Sequence, residues 1–527
     1  MTHIQIYDTT LRDGTQMEGI SLSCDDKLRI AQRLDELGVA YIEGGWPGSN
    51  PKDAEFFERA QHMTWKHAKI TAFGSTRRKG ITPAEDANIQ ALLAANTPVC
   101  TVVGKTWTLH VTDVIQTTLE ENLRLIEDSL AHLKAHGKEV IYDAEHFFDG
   151  YKADPEYALD TLSAAMKGGA EMLVLCDTNG GSMPWEVARI VNEVRQILPT
   201  AKIGIHTHND GECAVANSLA AIREGAIHVQ GCINGYGERT GNANLCSIIP
   251  DLELKLGLSC LPSGHLQHLS EVANYVAEVA NLSPNEHQPY VGKSAFAHKG
   301  GIHVAAMRRN PLSYQHIEPE RVGNESRTVV SELSGRGNLL SKAEEFGLKV
   351  DNPRLVEPVL EEIKVLEARG FTFEAAEASV MLMIKRHQAG YVAPFTLLDF
   401  FALVEQRRDG SLSRGVVKVS IAGEEYLTVG EGYSGPVNAL DKALRKALLP
   451  IYPKLESVTL TDFKVRILDG AKGTAAITRV LIDSSNGHER WTTVGAGANI
   501  IEASLRALTD SYEYALEWAK PAPVQAG

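Results

Sequence analysis

Eight short apolar runs, each followed by a stretch with helical spacing, fill the first half of this 527-residue chain, and no other feature restricts its fold as strongly. The runs are IQIYD from Ile4, VAYIEGG from Val39, KITAFG from Lys69, PVCTVVG from Pro98, EVIYDAEH from Glu139, EMLVLCDT from Glu171, KIGIHTHN from Lys202 and HVQGCING from His228. Between them, segments such as DDKLRIAQRLDELG, PAEDANIQALLAAN, PEYALDTLSAAMKGG and PWEVARIVNEVRQIL place apolar residues three and four apart, and several end in the glycine expected just past a helix. Eight such units within about 260 residues predict a closed (β/α)8 barrel, a TIM barrel. An open doubly wound sheet is the rival, but it carries a glycine-rich phosphate turn after its first strand, and IQIY is followed by DTTLRDG.

A barrel of this kind builds its site at the C-terminal ends of its strands. The residues at those ends are Asp8, Arg12 and Asp13 after the first strand, Glu43 after the second and Glu145 after the fifth. Asp177 and Thr178 follow the sixth, His206 and His208 the seventh, and Asn234 with Asn242 the eighth. Side chains two apart on a strand share a face, so both imidazoles of HTHND can point to the barrel axis. Paired imidazoles with a carboxylate from the first strand favour a divalent-metal site over a pair of hydrogen-bonded loop histidines. Zinc, manganese or cobalt suits that donor set, and magnesium is possible with water completing its shell. Arg12 at the mouth is placed to face a developing oxyanion or to grip a carboxylate. Glu145 has two readings: an ion pair with a neighbour such as His146, or a carboxylate raised in pKa by Phe147 and Phe148 that transfers protons.

Composition removes other classes. A formal net charge of −15 argues against nucleic-acid binding. MTHIQIYDTT carries no basic and apolar leader, and no run has transmembrane length, so a membrane partner is not expected and the cytoplasm is. The cysteines at 24, 100, 176, 213, 232, 246 and 260 are odd in number, form no CxxC pair, and read as reduced thiols.

After the barrel, taken as residues 1–260, the βα alternation stops. Residues 261–388 read as helical linker subdomains and include LQHLSEVANYVAEVANL. Residues 389–519 alternate strand-like runs (GVVKVSIAG, SVTLTDFKVRIL, AAITRVLIDSS) with two helices, giving a separate α+β domain, and 520–527 read as a disordered tail. Glycine-rich turns such as GEGYSG, DGAKGTAA and VGAGANII could hold a small ligand through backbone groups, or could be turns alone.

DTTLRDGTQ, CDTNGG, HTHND, GCINGYGERTGNANL and HKGGIH, in this order, resemble the metal-dependent Claisen-condensing acyltransferases: isopropylmalate, homocitrate and citramalate synthases, with hydroxymethylglutaryl-CoA lyase more distant. GKTWTLHV (104–111) and YDAEHFFDGYKADPEYA (142–158) are most similar to the citramalate branch. The resemblance implies condensation of acetyl-CoA with pyruvate, then thioester hydrolysis, on a route to isoleucine. The isopropylmalate alternative would take 2-ketoisovalerate, on a route to leucine. It implies metal ligands at Asp13, His206, His208 and, more weakly, Asn242. Arg12 would face the keto oxygen, and Thr178 and Asp143 would bind substrate. Glu145 would act in proton removal, with His303 and Tyr314 reaching the site from the helical subdomains that cover it. Where several relatives carry an acidic residue after that histidine, this chain has Val304 and Ala305. The C-terminal domain would form a homodimer and bind isoleucine as feedback inhibitor.

Overall fold

The computed structural model describes residues 3–330, 339–340, 342–343, 356–408 and 410–518. Each of the eight predicted runs contains one strand: β1 (Gln5–Asp8), β2 (Tyr41–Gly45), β3 (Lys69–Ser75), β4 (Val99–Lys105), β5 (Glu139–Glu145), β6 (Met172–Asp177), β7 (Ile203–Thr207) and β8 (His228–Gly231). They pair in sequence order and close into a barrel, with β8 returning in parallel register to β1 (Gln5 opposite His228, Asp8 opposite Gly231). Strands covered on both faces need apolar residues throughout rather than alternation, and β6, MLVLCD, is buried at every position. Tyr7, Tyr41, Val99, Ile141, Met172 and Val174 form the inner layer, while Ile6, Ile42, Val140, Leu173 and Ile205 belong to the larger core shared with the surrounding helices.

Local chemistry sets the helix starts. Ser23 caps Cys24–Leu37 by accepting from the Asp26 N–H at 3.2 Å, with Asp26 returning the bond to Ser23 N. Asn50 and Asp154 cap helices whose first residue is proline, at Pro51 and Pro155. PAEDANIQALLAAN begins its helix only at Ala87, because the Asp86 carboxylate accepts from the N–H groups of Asn88 and Ile89.

The chain divides into two compact units. The first holds the described residues up to Phe296 together with Ile317–Glu325; the second holds Ala297–His316 and the described residues from Ser326 onward. The stretch 261–388, read from sequence as one helical region, is therefore shared. Helix Leu269–Val279 seats Leu269, Val272 and Val276 in the barrel's core, whereas helices Val356–Ala368 and Glu377–Arg386 give Ile363, Met381 and Leu382 to the core of the second unit.

In the second unit, β9 (Ala297–His298) and β10 (Arg327–Thr328) form a small parallel pair. Two three-stranded antiparallel sheets follow, each succeeded by a helix. One is β11 (Thr396–Arg407), β12 (Gly410–Ile421) and β13 (Glu424–Gly432) with helix Pro436–Leu448. The other is β14 (Thr459–Ile467), β15 (Thr478–Ser485) and β16 (Arg490–Gly497) with helix Ile500–Glu517. The second helix lies so close to its sheet that a Cβ at Gly495 would stand 1.9 Å from the Ala503 carbonyl oxygen. Among the described residues no helix is long and apolar enough to cross a membrane. All seven cysteines are free thiols.

Candidate metal-dependent active site

At the C-terminal ends of the barrel strands lies a cavity of about 770 Å³ whose wall includes seven of the residues singled out from sequence: Arg12, Asp13, Asp143, Glu145, Thr178, His206 and His208. Asn242 is buried beside Asp13. Other strand-end groups turn elsewhere. Asp8 accepts from the N–H and hydroxyl of Thr10, and burial lifts its pKa to about 7. Asp177 accepts from Ser182, and Asn234 donates to the Ala273 carbonyl. Their expected convergence on the mouth gives way to turn-building, because a buried loop must satisfy its own backbone. His303 and Tyr314 belong to the second unit, where their rings stack with centroids 4.1 Å apart.

Asp13, His206 and His208 each offer one ligand atom to a common point. The two Nε2 atoms are 3.2 Å apart, and Asp13 Oδ2 lies 3.5 Å from His206 Nε2 and 3.9 Å from His208 Nε2. Ligands about 2.1 Å from one ion stand roughly 3.0–3.5 Å from each other; two of the three separations fall in that range, and the third, 3.9 Å between His208 and Asp13, closes with a small shift of either side chain. Protonation agrees. Burial holds both imidazoles below their ordinary pKa, His208 at about 3, leaving neutral rings with lone pairs to offer. Burial alone would raise the Asp13 carboxyl, but the Arg12 guanidinium, helped by a hydrogen bond from Asn242, outweighs it and holds the pKa below the ordinary carboxylate value. His206 Nδ1 donates to Gln230 Oε1 at 2.8 Å, and Gln230 Nε2 donates to Asp143 at 2.9 Å, so the tautomer leaving Nε2 bare is fixed from behind.

An isolated β-bridge to His208 carries Asn242 to the triad. Its amide nitrogen donates to the Tyr236 carbonyl at 3.2 Å and supports the Asp13 carboxylate, which leaves the buried Oδ1 without a partner among the described residues. A ligand role asks that oxygen to turn inward. The room for this amide comes from Gly237 (φ +151°), where a Cβ would sit 2.2 Å from Nδ2.

Arg12 is held on three sides. Its Nε donates to the buried Glu43 at 2.6 Å, Nη1 lies 3.2 Å from Asp13, and the guanidinium rests 3.9 Å above the centre of the Phe73 ring. Glu43 in turn accepts from the Tyr7 hydroxyl at 2.7 Å, which also meets Thr101 at 2.7 Å. Burial works against the guanidinium's charge, but Glu43 and Asp13 overcome that and raise its pKa. A cation fixed this way needs no rearrangement to face an oxyanion.

Glu145 does pair with a cation, as the first sequence reading has it, but with one supplied by the adjacent strand. It is ion-paired with Lys105, not His146, and Phe147 and Phe148 are fully buried in the hydrophobic core. His146 lies 3.5 Å from Asp149 instead, with left-handed backbone (φ 56°), and its N–H donates to the Thr178 hydroxyl at 2.8 Å. That bond leaves the Thr178 O–H free to donate into the cavity. Gln230, Tyr7 and Lys105 are the supporting residues that motif reading passed over; Glu43 was named as a strand-end group, but not as the partner of Arg12. The available signal was barrel register, which sets Lys105 opposite Glu145 and His206 opposite Gln230.

Residues 3–276 match the HMGL-like family, 290–370 the Homocitrate synthase post-HMGL domain-like family and 374–516 the LeuA allosteric (dimerisation) domain. Among relatives, the chain is 54% identical to an (R)-citramalate synthase of Geobacter sulfurreducens, over 98% of each chain. It is also 54% identical to an (R)-citramalate synthase of Aquifex aeolicus, over 97% of this chain and 98% of that one. A 2-isopropylmalate synthase of Sulfolobus acidocaldarius is 33% identical, over 72% of this chain and 94% of that one.

Proposed function

We propose, for a chain that belongs to the alpha-isopropylmalate and homocitrate synthase family of acyl-CoA-condensing enzymes, that it condenses acetyl-CoA with pyruvate and water to give (R)-citramalate and CoA, in the cytoplasm, on the route to isoleucine. The relatives support this over the 2-isopropylmalate reading, the citramalate synthases at 54% identity being nearer than the 2-isopropylmalate synthase at 33%; Arg12, fixed beside Asp13, His206 and His208, supports condensation with either keto acid.

Asp13, His206 and His208, with Asn242 as a weaker fourth ligand through Oδ1, hold a divalent ion. Such an ion supplies Lewis acidity toward a keto acid bound beside it. Thr178 donates its hydroxyl proton to the pyruvate carboxylate. Asp143, whose pKa burial and then Glu43 push up to about 8, carries a proton at neutral pH and donates to a substrate oxygen. Glu145 takes a proton from the acetyl methyl group, a very weak acid that reacts only with a base already in position. Arg12 faces the keto oxygen as it becomes an alkoxide. His303 and Tyr314 serve the later proton transfers that free CoA.

By function the chain divides into the barrel (1–260), a covering helical region (261–388) and an α+β regulatory domain (389–519). The last makes a homodimer and binds isoleucine as feedback inhibitor. Exposed apolar side chains on its outer strands, Phe401, Val404, Phe463 and Ile467 among them, support the dimer.

The test is CoA release from acetyl-CoA over a panel of keto acids, with and without EDTA, isoleucine or leucine. Pyruvate is expected to give the highest kcat/KM, EDTA to abolish turnover, added metal to restore it, and isoleucine rather than leucine to inhibit. Preference for 2-ketoisovalerate would overturn the assignment.

A further inference from the structure

The Lys105–Glu145 pair does not fit the usual role of a surface salt bridge. Lys105 ends β4 and Glu145 ends β5, directly opposite in register, and the two side chains form an ion pair while both line the reaction cavity. Both are about a quarter exposed, at 26% and 23%. The backbone around them is pinned: Thr106 donates to the Glu145 carbonyl at 2.6 Å, and Asn122 Nδ2 donates to the Lys105 carbonyl at 2.8 Å and to the Tyr157 hydroxyl at 2.9 Å. An ammonium has three N–H groups, and among the described residues no side chain other than Glu145 pairs with this one.

A cation beside a base is counterproductive if it only stabilises the ionised carboxylate. It becomes useful if the charge it neutralises moves to a second atom within its reach. When Glu145 takes a methyl proton from the acyl thioester, the C–H electron pair becomes the C=C bond and the carbonyl π pair moves to the thioester oxygen. Negative charge leaves the carboxylate and appears on that oxygen. The enolate carbon then forms the bond to the keto carbon, the thioester C=O re-forms, and the charge passes to the former keto oxygen beside Arg12. A cation facing both the carboxylate and the thioester oxygen keeps a counter-ion in place throughout, so the first step relocates charge without creating a new unpaired one.

We propose that Lys105 is a further catalytic residue, hydrogen-bonding the thioester oxygen of the acyl-CoA as the enolate forms; the proposal rests on the reading of Glu145 as the base. The test compares wild type, Lys105→Met and Lys105→Arg for kcat, both KM values, metal content, melting temperature, and deuterium uptake from solvent into the acetyl methyl group. Lys105→Met is expected to lose about 10²–10³ in kcat and in the rate of deuterium uptake, and Lys105→Arg to regain at least about tenfold. Metal content, the KM for pyruvate and melting should stay near wild type. The proposal falls if Lys105→Met keeps kcat within about threefold, if the loss lies in KM for acetyl-CoA alone, or if lost activity tracks lost folding. Wild type that releases no CoA with any keto acid would sink the assigned reaction, and this role with it; active wild type beside an unimpaired Lys105→Met would sink only the role.

Discussion

β6 in the barrel and β14 in the second unit draw on similar strand-forming residues and meet opposite fates: all six positions of MLVLCD are buried, and all nine of TLTDFKVRI are exposed. The barrel finishes its own burial. Every strand has two neighbours, both faces are covered, and the polar groups left at the mouth are gripped by partners from adjacent strands. The second unit stops short, because β14 and β11 lie at sheet edges and turn Phe463, Val465, Ile467, Phe401 and Val404 outward. Exposed apolar edges of this kind are stable in water only when something covers them. Under the proposed function the metal-side chemistry falls to the part completed within one chain, and association to the part that is not.

The largest expected effect comes from breaking the completed part. Asp13→Ala or His206→Ala should abolish stoichiometric metal binding, read by elemental analysis, and lower CoA release by at least about 10³, since a lost Lewis acid costs several kcal/mol. Arg12→Ala should cost about 10²–10³ in kcat with metal content intact. Arg12→Lys should recover little of it, because an ammonium cannot both lie flat on Phe73 and hold Glu43. Near-normal turnover of Arg12→Ala would remove its assigned role.

The incomplete part is tested through assembly. Phe401→Glu combined with Phe463→Glu should weaken the dimer by about 100-fold in sedimentation equilibrium, close to 2.7 kcal/mol. Each chain should remain folded, since neither ring belongs to the buried core. Unchanged dimerisation would refute the reading of these faces.

The smallest effect concerns the barrel's interior. His228 is fully buried against Tyr7 and Tyr41 with neither ring nitrogen hydrogen-bonded, and burial pushes its pKa to about 3. The folded chain therefore keeps the ring neutral where the unfolded chain protonates it, so stability is lost as pH falls below 6.5 toward 3. At pH 5 that amounts to roughly 2 kcal/mol. His228→Leu should melt with a shallower decline between pH 7 and pH 5, and an unchanged slope would show that the ring is not held neutral.

The barrel was readable because its evidence is local: continuous apolar runs, caps such as Ser23 and Asn50, and the two-residue spacing that turns His206 and His208 to one side. The metal triad needed one further step, joining the turn after β1 to the end of β7, which the strand count supplied. Pairings between strands were not readable. Glu43 with Arg12, Gln230 with His206 and Lys105 with Glu145 depend on which residues stand level around a closed ring, and linear spacing carries no trace of that until closure is known. For the same reason Glu145 was expected among phenylalanines that in fact turn into the core. In the second unit β11 and β13, exposed along most of their length, escaped notice, and β16, with half of its positions buried, ends in the VGAG that reads as a turn.

The return of β8 onto β1 brings together segments from the start and the end of the barrel's stretch of chain. Asp13 emerges from the ribosome long before His206, and until the ring shuts the carboxylate has no imidazoles to meet. A nascent chain consequently lacks the assembled triad through nearly the first half of synthesis, until β8 has emerged. Under the proposed function, uptake of an ion then serves as a clock for the moment of closure, the event that gathers ligands from both ends of the barrel's stretch of chain.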